Sequence, residues 1–521
     1  MPLSNKDIVS CMPKLRKSYS CYILLLAVHI GLVWFLPYFP TQDGPSHIYN
    51  LVILHDLING GREWGSFFTY QLEAVPNLGF NIIAYPLLNF FSPLVVEKIF
   101  ISIYILLMGV SVPIFLRTFD RHVLPIAYFV FPVIFNFTLL MGFYSYAMAV
   151  PIFILAFSLS WKIRNRSASF RFVYLNLLGF ILFYFHLIPF IFFMISLVAV
   201  TLAESAGYKR KINNFSNLLI IIFPSILNLF FYLRQGAGGT FLGFSYLFSF
   251  SRLIELIVDL SFFSTVNFLP WQLFPASFFI FLILLFSYTS IKEIFQRWKM
   301  AGDIQASEKA LIYMILFLGL IYIFAPFNFG GGSYFNQRFP WVILLILLPL
   351  LQVPKTIFFK RYGQIVIAGI ASIFFAFSAV IFWQQNIIVQ KFLGGMNAGL
   401  PKGAFIMTYK RANDSESSRV DVLLHAGSYY GLYKKCVDAG NYETSFPYFP
   451  VHFKNTLPAF PTENQISYEP ENINWSDYPS IQYIIGWEVE RKESKKLSKS
   501  YHIVWEEGPV SIWQRINDNE S

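Results

Sequence analysis

Long apolar stretches separated by short basic segments run through the first 389 residues of this 521-residue chain. A bilayer-spanning helix needs about twenty apolar residues, and short cytoplasmic loops collect Lys and Arg. Charged residues make up only 13% of the chain, about half their share in soluble proteins, which excludes a water-soluble globule. The sequence therefore predicts a polytopic α-helical membrane protein with eleven crossings. They lie at residues 20–39, 94–116, 122–140, 143–161, 171–186, 187–203, 214–233, 271–290, 309–326, 339–353 and 364–384.

Two stretches decide this count. Residues 171–203 are too long for one ordinary helix and have basic residues at both ends, so we predict two short crossings with a bend near His186 and Pro189. The apolar segment Val75–Phe91 contains two prolines, and counting it as a crossing would place the next basic loop outside. We therefore predict that it forms a helix at the outer surface, lying flat or dipping partway into the bilayer.

The basic residues also predict the orientation. Predicted cytoplasmic segments hold 20 Lys and Arg, whereas predicted outer loops hold five. Residues 1–19 form a cytoplasmic tail, residues 20–389 a transmembrane domain with a long first outer loop at 40–93, and residues 390–521 an extracytoplasmic domain. The net charge of +10 arises in the membrane part, so it does not indicate a nucleic-acid partner.

Residues 390–521 alternate strand-like runs with Pro- and Asn-rich turns, a pattern that predicts a small α/β domain. The predicted strands are Gly403–Tyr409, Ile481–Trp487, Tyr501–Trp505 and Val510–Ile516, with a further strand entering the Gly-Ser turn of Leu423–Tyr430. The three cysteines, Cys11, Cys21 and Cys436, lie far apart and give neither a metal-ligand spacing nor a disulfide framework.

Asp43 lies directly outside the first predicted crossing, in the sequence Pro40-Thr-Gln-Asp-Gly-Pro-Ser-His47. A carboxylate at a membrane boundary costs desolvation energy unless it is solvated or used. Pro45 suits the first turn of a helix, so Asp43 is either a helix cap or a functional carboxylate. His47 follows one turn later, on the same face. A metal site would need a third ligand such as His55, and this spacing is unspecific.

In its architecture the chain resembles the GT-C superfamily of membrane glycosyltransferases, which includes protein O-mannosyltransferases and aminoarabinose transferases. The resemblance rests on a first helix with its N-terminus inside, a long outer loop opening with Asp43, surface helices, many crossings and a C-terminal outer domain. The stretch from Pro76-Asn-Leu-Gly-Phe to Glu97-Lys98 also looks like the surface helix and second-crossing entry of those enzymes. The resemblance implies that Asp43 is the catalytic base and that the donor is a polyprenyl-phosphate sugar.

Transfer of a sugar from a lipid phosphate needs a base for the acceptor and a cation or N–H group for the leaving phosphate. Arg338 follows the glycine run Gly330–Gly332 in a short outer turn and is the first phosphate candidate, or else an interfacial anchor. Lys98 is the second phosphate candidate, or else pairs with Glu97 or snorkels to the interface. Glu73 and Glu97 are the candidates for a second acid, because Asp43 is followed by Gly44 and residues 136–146 contain no acid. Without a paired carboxylate we predict a metal-independent mechanism with no cofactor.

Three further polar residues are candidate substrate contacts. His186, at the predicted bend, contacts donor or acceptor, or else bonds a freed backbone carbonyl near Pro189. His425 and Tyr429 touch the acceptor or simply pack in the outer domain.

The function predicted from the sequence is a glycosyltransferase of a bacterial inner membrane, with a lipid-linked glycan or a protein as acceptor on the outer face. A lipid or solute transporter (or flippase) and a non-catalytic assembly subunit are the alternatives. Transporters place polar residues at mid-membrane in repeated broken helices, whereas the ionisable residues here lie near the ends of the predicted crossings.

Overall fold

The computed structural model describes residues 5–73, 75–119, 123–204, 208–234, 250–268, 270–328, 333–410, 418–462, 465–466 and 469–516. The predicted glycine run Gly330–Gly332 lies outside the described residues. The chain forms two compact units. The helical unit comprises Met1–Val33, Ile101–Thr138 and Ser145–Ser378, and the mixed unit comprises Trp34–Phe100, Leu139–Tyr144 and Ala379–Ser521.

Most of the described chain is helical. The helices are α1 Asn5–Phe35, α2 Gly44–Ile58, α3 Gly79–Leu87, α4 Pro93–Thr118, α5 Val123–Ala127, α6 Phe131–Ile134, α7 Phe137–Leu140, α8 Tyr144–Ile163, α9 Ala168–Phe185, α10 Leu187–Glu204, α11 Tyr208–Arg234, α12 Phe250–Ser261, α13 Leu273–Ala301, α14 Ala306–Phe324, α15 Pro340–Leu347, α16 Ile357–Leu393, α17 Gly427–Lys434 and α18 Arg491–Leu497. The strands are β1 Phe68–Tyr70, β2 Phe405–Lys410, β3 Val437–Asp438, β4 Val451–Phe453, β5 Tyr483–Trp487, β6 Tyr501–Glu507 and β7 Val510–Arg515.

Within the described residues, eight helices are long and apolar enough to cross a membrane, and each coincides with a predicted crossing. They are Pro93–Thr118, Tyr144–Ile163, Ala168–Phe185, Leu187–Glu204, Ile212–Arg234, Leu273–Met300, Ala306–Phe324 and Arg361–Ala398. The other three predicted crossings fall on shorter apolar helical stretches, Tyr19–Phe35, Pro125–Leu140 and Asn336–Leu350. The total of eleven therefore stays a prediction.

The bend predicted near His186 is confirmed. Helix α9 ends at Phe185, His186 has an extended backbone, and α10 begins at Leu187. The segment Val75–Phe91 holds only the nine-residue helix α3, which is too short to cross a bilayer. Beside it, Phe90 is 79% exposed, as a surface segment against lipid would require.

The mixed unit is built around a five-stranded sheet with the order β3-β2-β5-β7-β6. Strand β2 pairs in parallel with both β3 and β5, while β7 runs antiparallel to β5 and β6. One face of the sheet is covered by a buried apolar cluster that includes Met407, Ile484 and Trp513. The four separate strands predicted in this region are confirmed, with ends that differ by one or two residues.

The strand predicted within Leu423–Tyr430 is wrong. Turns at residues 422–426 lead there into helix α17. The reason is topological, because β2 and β3 are parallel neighbours and a parallel pair needs a crossover connection, usually a helix. Helix α17 lies between them in the chain and supplies that crossover.

The first loop, residues 40–93, and the C-terminal residues share one core, although the sequence predicts them as separate parts. Strand β1 of the loop pairs antiparallel with β4, with Phe68 opposite Phe453. Tyr49 and Trp64 of the loop pack in the same buried cluster as Val437 and Val451. Burial of such large aromatic side chains is the main source of stability for this arrangement.

Candidate functional site

Asp43 stands at the N-cap of α2, where the sequence places it. Although the first turn of α2 is fully described, the carboxylate makes no capping hydrogen bond to it. Pro45 occupies the first turn, as expected for a helix start. The carboxylate is only 6% exposed. Its orientation must therefore be set by contacts other than those of a helix cap.

The backbone around Asp43 is held by the loop at residues 139–144. The Gln42 N–H donates to the Leu140 carbonyl at 2.9 Å, and the Asp43 N–H donates to the Met141 carbonyl at 3.1 Å. Gly142 follows with φ +90°, and a Cβ there would lie 2.8 Å from the Asp43 Cβ. Both the backbone conformation and the close approach require glycine.

Two side chains converge on one oxygen of the Asp43 carboxylate. The Gln42 Nε2 donates to Oδ1 at 3.3 Å, and the His425 Nε2 lies 3.6 Å from the same oxygen. The Gln42 amide is itself held, because its Oε1 accepts the Asp421 N–H at 3.2 Å. His425 is buried and packs against the Tyr442 ring, with ring centroids 4.6 Å apart.

His47 pairs with a carboxylate from the C-terminal residues. Its Nδ1 lies 2.8 Å from Glu443 Oε1, and the Glu443 side chain is buried. Burial lowers the pKa of His47, but Glu443 and then Asp43 outweigh it, so the pKa of His47 is raised above its ordinary value. For His425, burial and the nearby His47 lower the pKa to about 3. The structure thus combines an imidazole that favours the charged form with one that stays neutral.

A second carboxylate, Glu97, lies beside the residue that follows Asp43. Glu97 is buried and accepts a hydrogen bond from the Tyr144 hydroxyl, which also contacts Thr41 Oγ1 at 3.0 Å. A Cβ on Gly44 would stand 2.7 Å from Glu97 Oε1. The glycine that follows Asp43 therefore leaves room for an acid that is distant in sequence.

We call Asp43, His47, Glu97, His425 and Glu443 the carboxylate cluster. Of the predicted residues, it contains Asp43, His47, Glu97 and His425. Lys98, half-buried, follows Glu97. Tyr429 is buried, and its burial, with Glu97 nearby, raises the pKa of its hydroxyl well above the ordinary value. Glu73 is exposed and accepts a hydrogen bond from Gln71, so the structure does not bring it into the cluster.

Two residues of the carboxylate cluster lie in segments that follow parallel strands of the sheet, His425 after β2 and Glu443 after β3. Strands β3 and β5 flank β2 on opposite sides, and ligands bind beyond the carboxyl ends of parallel strands at such a switch point. Glu443 follows the carboxyl end of β3. At the carboxyl end of β2, Lys410 pairs with Asp421, the residue whose N–H holds Gln42.

The metal alternative gains no geometric support from these residues. His55, proposed from sequence as a third ligand, instead has its Nε2 3.0 Å from Asn89 Oδ1. Among the described residues, no group of three His, Cys, Asp or Glu side chains is placed to hold a metal ion.

Arg338 lies in the helical unit, in a cluster of its own with His186 and Tyr146. Its guanidinium contacts the His186 Nε2 at 3.0 Å and donates to the Ser333 carbonyl at 3.3 Å. It also lies over the Tyr146 ring, 5.5 Å from the centroid, and the Tyr146 hydroxyl donates to the Arg338 carbonyl. Arg338 is only 9% exposed. An interfacial anchor would instead keep its charged end in water. We call these three residues the arginine cluster.

His186 bonds differently from the backbone-carbonyl alternative. Its Nδ1 accepts the Ile188 N–H at 3.1 Å, while its Nε2 faces Arg338. A neutral imidazole accepts at one nitrogen only. The two donors therefore compete for this ring.

Several residues of these sites are missed by sequence reasoning. Gln42, Tyr144 and Glu443 carry no local signal of a role, because partners that define their roles lie far away in the chain. Gly142 alone offers a hint, as a glycine between two large apolar residues in a short loop.

Comparisons of the chain with protein-family models, curated proteins and solved structures find no match.

Proposed function

We propose that this chain is a GT-C-type glycosyltransferase that moves a sugar from a polyprenyl-phosphate donor to an acceptor on the outer face of a bacterial inner membrane. The observation that carries the proposal is the buried Asp43, whose carboxylate accepts a hydrogen bond from Gln42 and faces His425 at 3.6 Å, with a second acid, Glu97, beside the following Gly44. A carboxylate kept away from water and oriented by neighbouring donors suits a general base.

In the proposed reaction an acceptor hydroxyl or amine attacks the anomeric carbon of the donor sugar. The bond from that carbon to the phosphate oxygen breaks, and the polyprenyl phosphate leaves with the bonding electrons. The acceptor's proton passes to Asp43. A base of this kind contributes about 10²–10⁴-fold to the rate.

The leaving phosphate needs a cation, and Arg338 is assigned that role, with Lys98 as the second candidate. The competition at His186 supports this role for Arg338. If Arg338 donated to a bound anion instead of to His186, the imidazole would accept only the Ile188 N–H. The proposal takes the N-terminus as cytoplasmic and the C-terminal residues as outside.

The test compares cell-envelope glycans by mass spectrometry in a deletion strain complemented with wild type, Asp43→Asn or Asp56→Asn. Asp56 is the matched control, because it lies on the same helix and its carboxylate accepts the Trp64 N–H at 3.3 Å. We expect one sugar addition to disappear in the deletion strain, to return with wild type and Asp56→Asn, and to fall at least about 100-fold with Asp43→Asn. Expression is matched by immunoblot.

Full complementation by Asp43→Asn would show that Asp43 is not the general base and would contradict this mechanism. An unchanged glycan profile in the deletion strain would favour a transporter or an assembly subunit instead.

A further inference from the structure

The orientation of Asp43 depends on residues that follow strand β2, almost 400 positions later in the chain. The Asp421 N–H holds the Gln42 amide oxygen, and the Gln42 amide nitrogen donates to Asp43 Oδ1. Four residues after Asp421, His425 presents its Nε2 to that same oxygen at 3.6 Å. The short segment 421–425 therefore supplies one of these contacts to Oδ1 directly and orients the other through Gln42.

We infer that Gln42 and His425 are positioning residues that fix the rotamer and basicity of Asp43, with Gln42 clamped by Asp421. This inference rests on the proposed function, in which Asp43 is the base. It assigns His425 a role different from the acceptor contact expected from the sequence. It also means that residues 421–425 act on the catalytic base and do not serve to bind the acceptor.

The chemistry of His425 suits this role. The groups that face it are Asp43 and His47 at the start of α2 and Tyr442 after β3. Because its pKa is lowered to about 3, the ring stays neutral at physiological pH and carries a single N–H. With that proton on Nε2, the ring points an N–H at Asp43 Oδ1 from 3.6 Å and would donate to it, without neutralising the carboxylate, once the contact shortens. Contacts of this kind are often long in unliganded sites and shorten in the complex.

A donor that faces a carboxylate favours the charged form and lowers its pKa. Removing either donor should therefore raise the pKa of Asp43. Because only the deprotonated carboxylate accepts a proton, activity should then be lost at a higher pH on the acid side.

The experiment replaces each donor by an apolar side chain of similar length. At position 425 a further variant carries a different N–H donor. Gln42→Met and His425→Met remove the donors, whereas His425→Gln keeps an amide N–H at nearly the distance of Nε2. His502→Met is the control, since His502 is exposed on β6. In the complemented deletion strain, the initial rate of the envelope sugar addition is followed after a short induction at external pH values of about 3.5 to 7.5, a range that includes the ordinary pKa of an aspartate.

We expect each Met variant of Gln42 and His425 to lose at least about 10-fold in rate and to move the acid limb upward by about half a pH unit or more. His425→Gln should keep at least about a third of the wild-type rate with a nearly wild-type acid limb. Equal rates for His425→Gln and His425→Met, or Met variants with an unmoved acid limb, would overturn the inference.

A second measurement does not depend on activity. In a chain whose Cys11, Cys21 and Cys436 are replaced by Ser, Gln42→Cys and Asp421→Cys should be joined by a short bifunctional thiol reagent. Absence of this cross-link overturns the positioning inference while leaving the Asp43→Asn result intact. Formation of the cross-link together with full activity of Asp43→Asn overturns the proposed base, and the positioning role falls with it.

Discussion

At the scale of single residues, Gly142 is the position where the backbone geometry of the carboxylate cluster is tightest. A Cβ there would meet the Asp43 Cβ at 2.8 Å and the Gly44 nitrogen at 2.9 Å, and φ is +90°. We expect Gly142→Ala to push Asp43 out of place and to lower sugar transfer at least about 10-fold, because misplacement by about 1 Å has costs of this order or larger. Envelope mass spectrometry measures the effect.

The matched control is Gly60→Ala in the same unit. Gly60 also has a positive φ, +75°, but a Cβ there meets nothing within 4 Å. It should lose about 1 kcal/mol of stability through backbone strain and keep its transfer rate. If both alanine variants transfer sugar equally well, Gly142 has no special role beside Asp43.

Asp43 and His47 could be recognised from the sequence because a proline-marked helix start follows the first crossing directly. Glu97 could be named only as a candidate, since nothing in the sequence shows that Gly44 leaves space for it. Glu443 and Gln42 could not be found. Their roles depend on contacts that tertiary packing creates between distant segments, and no local spacing records such contacts.

At the scale of secondary-structure elements, a reciprocal pair of amides joins α2 to the residues after β3. Asn50 Nδ2 donates to Asn441 Oδ1 at 2.8 Å, and Asn441 Nδ2 donates to Asn50 Oδ1 at 2.9 Å. Both side chains are buried, and Ser46 donates to the same Asn441 oxygen. This pair fixes the register between the helix that carries Asp43 and the segment that carries Glu443.

Removing both sides of this pair should cost less than the two single losses added together. Asn50→Leu removes the two hydrogen bonds that the buried Asn441 amide makes with Asn50. We therefore expect a loss of about 1–3 kcal/mol in unfolding free energy. The double variant Asn50→Leu/Asn441→Leu should lose less than the sum of the two single variants. Thermal unfolding of the purified protein in detergent measures all three, with exposed Asn472→Ala as a variant expected within about 0.5 kcal/mol of wild type. Strict additivity would mean that the two amides do not interact.

Elements with a strong periodic or apolar pattern could be predicted, and elements defined by a distant partner could not. The long apolar helices and the strands β5, β6 and β7 follow local sequence patterns. Strand β1 spans three residues and exists because β4 pairs with it. Helix α17 replaces an expected strand because parallel strands need a crossover between them.

At the scale of the whole molecule, the excess of basic residues in one set of loops predicts that the N-terminus lies inside and the C-terminal residues outside. In a cysteine-free chain, Ser498→Cys should react with a membrane-impermeant maleimide on intact spheroplasts, because Ser498 is exposed in the C-terminal region. Asp303→Cys, exposed after α13, should react only after the membrane is permeabilised. Labelling in the opposite pattern would reverse the orientation and place Asp43 on the cytoplasmic side.

The pairing of β1 with β4 also has a consequence for the order in which the protein matures. Strand β1 is synthesised about 380 residues before its partner, and chain elongation at about 5–20 residues per second makes that interval roughly 20–80 s. For almost all of this time the Asp43 loop lacks both strand β4 and the Asp421 N–H that holds Gln42. A nascent chain therefore lacks the distant partners of β1 and of Gln42 until its last quarter is being made.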